Sequence, residues 1–129
     1  FKGGWLAHWL SELGAYVHGY ALEPPTEVNF FTETNLQERL TSSSIGDIRD
    51  LRLLDKAIQQ SKPDIIFHMA ARPLVRESYQ TPVETFAANV MGTVNVLEAS
   101  RRVATVVSAA RLKSQIVLPL GLSLLQFSF

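Results

Sequence analysis

Several short clusters in this sequence combine residue types that a phosphate- or purine-bearing ligand needs. Phe1-Lys2-Gly3-Gly4 stands directly in front of a helical pattern. Glycine at the head of a helix lets a phosphate reach backbone N–H groups and the positive end of the helix dipole. Gly46-Asp47-Ile48 follows a strand-like run, and an aspartate there can accept a hydrogen bond from an adenine amino group. Met69-Ala70-Ala71-Arg72 closes a second strand-like run, where two consecutive alanines leave the backbone uncovered for a flat ligand. Asn89 is a polar position in an otherwise apolar-periodic helix, able to tie the loop after Ala71 through hydrogen bonds or to sit in solvent. Arg76, Glu77, Ser78 and Tyr79 form a polar loop beside these clusters, suited to a substrate or to ordinary loop chemistry. Each cluster has a plain structural reading too. Gly3 and Gly4 ease a turn, either Asp47 or Asp50 caps the next helix, and Ala70 and Ala71 simply pack. Their joint placement is what points to a site.

The elements that must position them follow from periodicity. Trp5, Leu6, Trp9, Leu10 and Leu13 have helical spacing over Gly4–Leu13, with Gly14 as the C-terminal cap. Ala15–Leu22 reads as a strand ended by Pro24-Pro25. Residues 28–40 are a connector with a short helix around Leu36–Leu40, and Ser43–Ile48 is a second strand. A helix from Leu51 to Ser61, capped by Asp50 and stopped by Pro63, precedes the most strand-like run, Asp64–Ala71. Arg72–Gln80 is loop. Thr81-Pro82-Val83-Glu84 has the form of a capping box. Behind it Val83, Phe86, Ala87, Val90, Met91, Val94 and Leu97 predict one long amphipathic helix to Arg102 with that set facing inward. Alternating strands and helices give an α/β class with a parallel sheet. In such a doubly wound sheet, ligands bind outside the carboxyl ends of the strands, the rim on which the clusters fall.

Composition narrows the partners. The 129 residues suit one domain, and 12 basic against 12 acidic residues leave no electrostatic footprint for nucleic acid or an anionic membrane. There is no cysteine, which excludes disulfides, thiolate metal sites and cysteine nucleophiles. His8, His18 and His68 fall on different elements without a carboxylate cluster, so no metal site is expected, and His68 reads as a buried strand residue. No apolar run is long enough to span a bilayer, and a cytoplasmic protein is expected. The opening Phe1-Lys2-Gly3-Gly4, with no methionine before Met69, reads as the interior of a longer protein.

The strings FKGGWLAHWL, GYALEPPT, IGDIRD, FHMAARPLVRESY and PVETFAANVMGTVNVLEA resemble, in unbroken order over residues 1–102, the N-terminal part of the CDP-glucose 4,6-dehydratase family. That family is a branch of the extended short-chain dehydrogenase/reductases, the NAD-dependent epimerases and dehydratases of nucleotide sugars. The resemblance implies a Rossmann fold, bound NAD, and a lyase reaction on a nucleotide-sugar substrate. CDP-glucose would be oxidised at C4, lose water across C5 and C6, and be reduced at C6 to CDP-4-keto-6-deoxy-glucose. Carried over, it implies cofactor contacts from Phe1, Lys2 and Gly3 (the end of the glycine loop), Asp47 and Ile48 (the adenine side), Met69, Ala70 and Ala71 (the strand end) and Asn89 (the helix scaffold). Glu23 is a candidate for the ribose hydroxyls, Ser78 lies on the substrate side, and Arg72 stands where glutamine is usual. A homodimer is possible in full-length relatives.

The same resemblance marks what is missing. The expected first strand of the sheet, the first two glycines of the phosphate loop and the sugar-binding half are not in the chain. No tyrosine is followed four residues later by lysine, and residues 103–129 diverge from the expected Thr/Ser-Asp-Lys segment. Without that tyrosine no general base is placed on the sugar hydroxyl. The expectation is therefore an incomplete Rossmann-like parallel sheet in residues 1–102, a tail of unknown structure in 103–129, no catalytic residues, and a chain inactive on its own. The alternatives are a non-catalytic Rossmann-type nucleotide- or partner-binding module and a decayed gene product. The vacant central slot exposes unpaired backbone, and the tail, around Ile116–Leu118 or Leu122–Phe127, is a candidate to fill it.

Overall fold

The computed structural model describes residues 2–72, 75–103, 106–109 and 123–128, the last two ranges as backbone strands. In chain order the elements are α1 (Lys2–Glu12), β1 (Tyr16–Ala21), α2 (Phe30–Glu33), α3 (Leu36–Arg39), β2 (Ser42–Ile45), α4 (Leu51–Ser61) and β3 (Ile65–His68). Then come α5 (Val75–Gln80), α6 (Pro82–Phe86), a π-helical turn (Ala87–Met91), α7 (Gly92–Ser100), β4 (Val106–Ala109) and β5 (Ser123–Ser128).

Among the described residues five strands form one sheet in the order β2-β1-β5-β3-β4, and each of their pairings is parallel. The central position is taken by β5, in the slot the sequence left vacant. It pairs with β1 from Tyr16↔Ser123 to Ala21↔Ser128 and with β3 from Ile65↔Leu124 to His68↔Phe127. Of the two tail segments considered, Leu122–Phe127 overlaps this strand, whereas Ile116–Leu118 lies outside the described residues. A central strand satisfies backbone groups on both neighbours at once, which is the physical demand an open slot creates.

Helices cover both faces, as alternation along β1 and β3 requires. On one face Tyr20, Ile48, Leu54, Ile58, Ile66, Ala70, Val96 and Ala99 form a core beneath α4 and α7. On the other, Ala7, Leu10, Val17 and Leu36 form a second core, flanked by Phe30, Phe31, Ile65 and Phe67, beneath α1, α2 and α3. The turn from α1 into β1 uses Gly14 at φ 83°, a left-handed conformation suited to glycine.

Three local expectations are corrected. Residues 75–80 are helical rather than loop; the segment VRESYQ holds good helix formers but is too short to show a period. Thr81 makes no side-chain cap hydrogen bond, so the capping box is not formed. Glu84 instead pairs with Arg72 at 2.6 Å. The long helix is interrupted by the π turn, and its inward face is not the large apolar set. Ala88, Gly92, Val96, Ala99 and Ser100 are buried, while Val83, Phe86, Val90, Met91, Val94 and Leu97 are exposed. Small residues win the inner face because they let the helix approach closely: a Cβ at Gly92 would lie 2.3 Å from Ile48 Cδ1.

Candidate functional site at the carboxyl rim of the sheet

All strands run the same way, so the loops after β2 and β3 leave the sheet along one edge. The loop after β2 is Gly46-Asp47-Ile48-Arg49-Asp50. Its two aspartates separate cleanly: Asp50 caps α4, accepting from the N–H groups of Arg52 and Leu53 at 3.0 and 3.2 Å. Asp47 does not cap the helix. Its carboxylate accepts the Arg49 backbone N–H at 2.8 Å and the Arg49 guanidinium at 2.9 and 2.5 Å. The hydrogen bond from that guanidinium is the main reason the Asp47 carboxyl sits below the ordinary aspartate range, and partial burial opposes it. Asp47 therefore presents an ionised acceptor at neutral pH.

The backbone of this turn is gripped from two sides. Tyr20 Oη donates to the Asp47 carbonyl at 3.1 Å, and Asn95 Nδ2 donates to the carbonyls of Ile48 at 2.9 Å and Arg49 at 3.2 Å. Burial first, then the charges of Asp50 and Asp47, push the Tyr20 phenol up to about 12, which keeps its proton in place to donate. The Ile48 side chain is 2% exposed and belongs to the core, so its contribution to a ligand is its backbone.

The loop after β3 is held by the same long helix, one and a half turns earlier. The Arg72 N–H donates to Asn89 Oδ1 at 2.7 Å, and Asn89 Nδ2 returns a 3.4 Å bond to the Arg72 carbonyl. Asn89 lies in the π turn, a distortion that often accompanies functional positions. Thr93 Oγ1 donates to the Asn89 carbonyl at 2.7 Å, so its 2.8 Å contact with His68 Nε2 has the imidazole as donor. His68 is buried, and burial lowers its pKa. Ala70 is buried in the core at the strand end, Met69 is half-buried, and Ala71 is exposed.

The N-terminus of α1 reaches the same edge, because its far end turns tightly into the start of β1. Lys2 is exposed there and Gly3 is buried. At Gly4 a Cβ would come within 2.6 Å of the Phe30 ring, so a side chain there would require the ring to shift. Phe1 lies outside the described residues. Ser78 is half-buried on α5, and Glu23 is exposed after β1. Among the described residues no group of three His, Cys, Asp or Glu side chains could hold a metal ion, and no helix is long and apolar enough to cross a membrane.

This donor set suits the adenosine half of a dinucleotide. Adenine offers an amino donor beside a ring-nitrogen acceptor, and the turn offers a carboxylate acceptor beside a backbone N–H. The alanines just past β3 allow a close approach, and the N-terminus of α1 carries the positive end of its helix dipole, which favours a phosphate. The residues present thus fit NAD at its adenosine end. Sequence reasoning missed Asn95 and Tyr20. In the sequence the larger apolar residues of this helix point to the inner face, which hides Asn95, a polar residue flanking the small-residue face.

Comparison with known proteins bears on this geometry. A family model described as GDP-mannose 4,6 dehydratase matches residues 1–114, running past Arg102, where the resemblance legible in the sequence ends. CDP-glucose 4,6-dehydratase of Salmonella typhimurium is 49% identical over 114 residues, covering 88% of this chain and 32% of that protein. GDP-mannose 4,6-dehydratase of Sinorhizobium fredii is 33% identical over 104 residues, covering 77% of this chain and 30% of that protein. The chain thus spans about a third of the length of these curated relatives. Among solved structures, Pal from Bacillus thuringiensis superposes with a TM-score of 0.76 at 24% identity over 84% of this chain and 35% of that one. UDP-glucose-4-epimerase from Stenotrophomonas maltophila, solved with bound NAD and formylated UDP-arabinopyranose, gives 0.65 at 20% identity over 84% of this chain and 32% of that one. At those identities the likeness establishes the Rossmann-type fold alone.

Proposed function

Because the chain belongs to the GDP-mannose 4,6-dehydratase family of nucleotide-sugar enzymes, we propose that it forms the adenosine-holding part of an NAD-dependent dehydratase acting on CDP-glucose. The observation that carries this reading is the Asp47 carboxylate in the loop after β2, a loop whose backbone Tyr20 and Asn95 hold, with the loop after β3 held by the same helix. The identity of 49% with a CDP-glucose 4,6-dehydratase favours cytidine as the nucleotide of the sugar substrate. In this reading Lys2, Gly3, Asp47, Ile48, Met69, Ala70, Ala71 and Asn89 line the cofactor, and the family resemblance adds Phe1. Ser78 stands on the substrate side. Residues 1–102 form the cofactor-binding unit, and β4 and β5 of the tail complete its sheet.

When bound, NAD supplies the hydride acceptor for the sugar C4 and the hydride that returns at C6. The chain's own residues bind and orient. Asp47 and Ile48 fix the purine, the α1 N-terminus faces the phosphates, and Asn89 fixes the loop on which the reactive end would rest. This sequence has no tyrosine followed four residues later by lysine, so no residue here takes the proton from the C4 hydroxyl. The chain alone is therefore inactive toward CDP-glucose. The same lack favours, as second reading, a non-catalytic nucleotide- or partner-binding module. The exposed stripe of Val83, Phe86, Val90, Val94 and Leu97 supports a homodimer.

Titration calorimetry of the 129-residue chain with NAD tests the reading. Saturable heat that disappears in Asp47→Ala is expected. No heat at millimolar NAD refutes it, and formation of the 4-keto sugar from CDP-glucose refutes the claim of inactivity.

A further inference from the structure

Three consecutive carbonyls in the turn after β2 are held from elements outside it. Tyr20 of β1 takes the Asp47 carbonyl, and Asn95 of α7 takes those of Ile48 and Arg49. A trans peptide unit is planar with its C=O and N–H opposed. Fixing the Asp47 carbonyl toward Tyr20 therefore turns the Ile48 N–H the other way, away from the core. Fixing the Ile48 carbonyl toward Asn95 likewise turns the Arg49 N–H away from α7. There it meets Asp47 Oδ1 at 2.8 Å and sets the direction of the carboxylate. Each outside donor thus aims one member of the acceptor–donor pair. Asn95 can reach only because α7 lies close against the turn at Gly92, where a Cβ would strike Ile48.

We propose that Tyr20 and Asn95 are positioning residues for base selection. Tyr20 aims the Ile48 N–H and Asn95 aims the Asp47 carboxylate, so that the turn accepts a 6-amino purine and rejects a 6-oxo purine. The inference rests on the reading of this turn as the adenosine site. A 6-oxo purine presents the reverse pattern, a carbonyl toward the carboxylate and an N–H toward the N–H. A site built to pair with a specific hydrogen-bond pattern discriminates strongly against its inverse, while a loosened site does not.

The test compares NAD with nicotinamide hypoxanthine dinucleotide by titration of the full chain. The unsubstituted chain should prefer NAD by about tenfold or more. Tyr20→Phe removes one donor with its ring retained, and Asn95→Asp replaces the amide by an isostere that cannot donate. Each should narrow the preference to about threefold or less. General loosening of the fold weakens both dinucleotides in parallel and leaves the ratio alone, so the ratio isolates positioning. If Asn95→Asp does not fold, Asn95→Ser takes its place. A ratio unchanged in either variant overturns the role of that residue and leaves the adenosine site standing. An unsubstituted chain that binds both dinucleotides equally, or neither, overturns the site and the inference together.

Discussion

Deleting residues 104–129 removes β4 and β5, and with β5 the centre of the sheet. β5 pairs with six residues of β1 and four of β3. A parallel ladder makes roughly one hydrogen bond per paired residue, so about ten are lost with β5 alone, besides those of the four β3–β4 pairs. The stripped edges of β1 and β3 can rehydrate, so the net value per bond, about 1 kcal/mol, is the appropriate one. The sum, about 10 kcal/mol, matches the whole stability of a typical domain, about 5–15 kcal/mol. The truncated chain should therefore show no cooperative melt in far-UV circular dichroism. A milder change separates the strand from the rest of the tail. Gln126 lies opposite both Gly19 and Phe67, and Gln126→Pro removes one ladder donor and leaves its acceptor buried, costing roughly 2–4 kcal/mol. At a few degrees per kcal/mol for this chain length, Tm should fall by about 10 °C. Unchanged cooperative melts for both variants would refute the central placement of β5 and the reasoning from its pairing.

Gly92→Ala should destabilise the fold by about 1–3 kcal/mol, read as a shift in the urea midpoint, because the new methyl meets the Ile48 side chain in a filled core. Stability should also depend on His68. Burial lowers its folded-state pKa below that of the unfolded chain, so the contribution is complete above about pH 6.5 and declines as pH falls from there toward the lower folded value. His68→Gln, which keeps a donor toward Thr93, should flatten the acid side of a Tm-against-pH curve; an unaltered slope contradicts this.

The fold was legible wherever a period and a punctuating residue coincided. Asp50 capping α4, Gly14 closing α1 and the apolar run of β3 each announce themselves, and their alternation gives the parallel α/β class. The inner face of the long helix was not legible. Hydrophobicity ranks Val83, Phe86 and Leu97 above Ala88, Gly92 and Ala99, but close packing against Ile48 selects by size rather than by hydrophobicity. That misreading concealed Asn95. Tyr20 shows in the sequence only as one residue of the strand Ala15–Leu22, because its hydroxyl reaches Asp47 across a separation of 27 residues that no local pattern records. The clusters at Asp47, Ala70 and Asn89 are visible as candidates in the sequence. Their attachment to one helix, through Asn95 and Asn89, required the sheet to be assembled first.

The central claim is that the turn after β2 receives the purine of a dinucleotide. Backbone amide chemical shifts of the 129-residue chain, followed during titration with ADP-ribose, test it most directly. The account predicts saturable shifts led by the Ile48 amide, accompanied by Ala70, Ala71 and the first turn of α1, with residues of α3 unmoved. Shifts confined to other surfaces, or none at millimolar ligand, would contradict it.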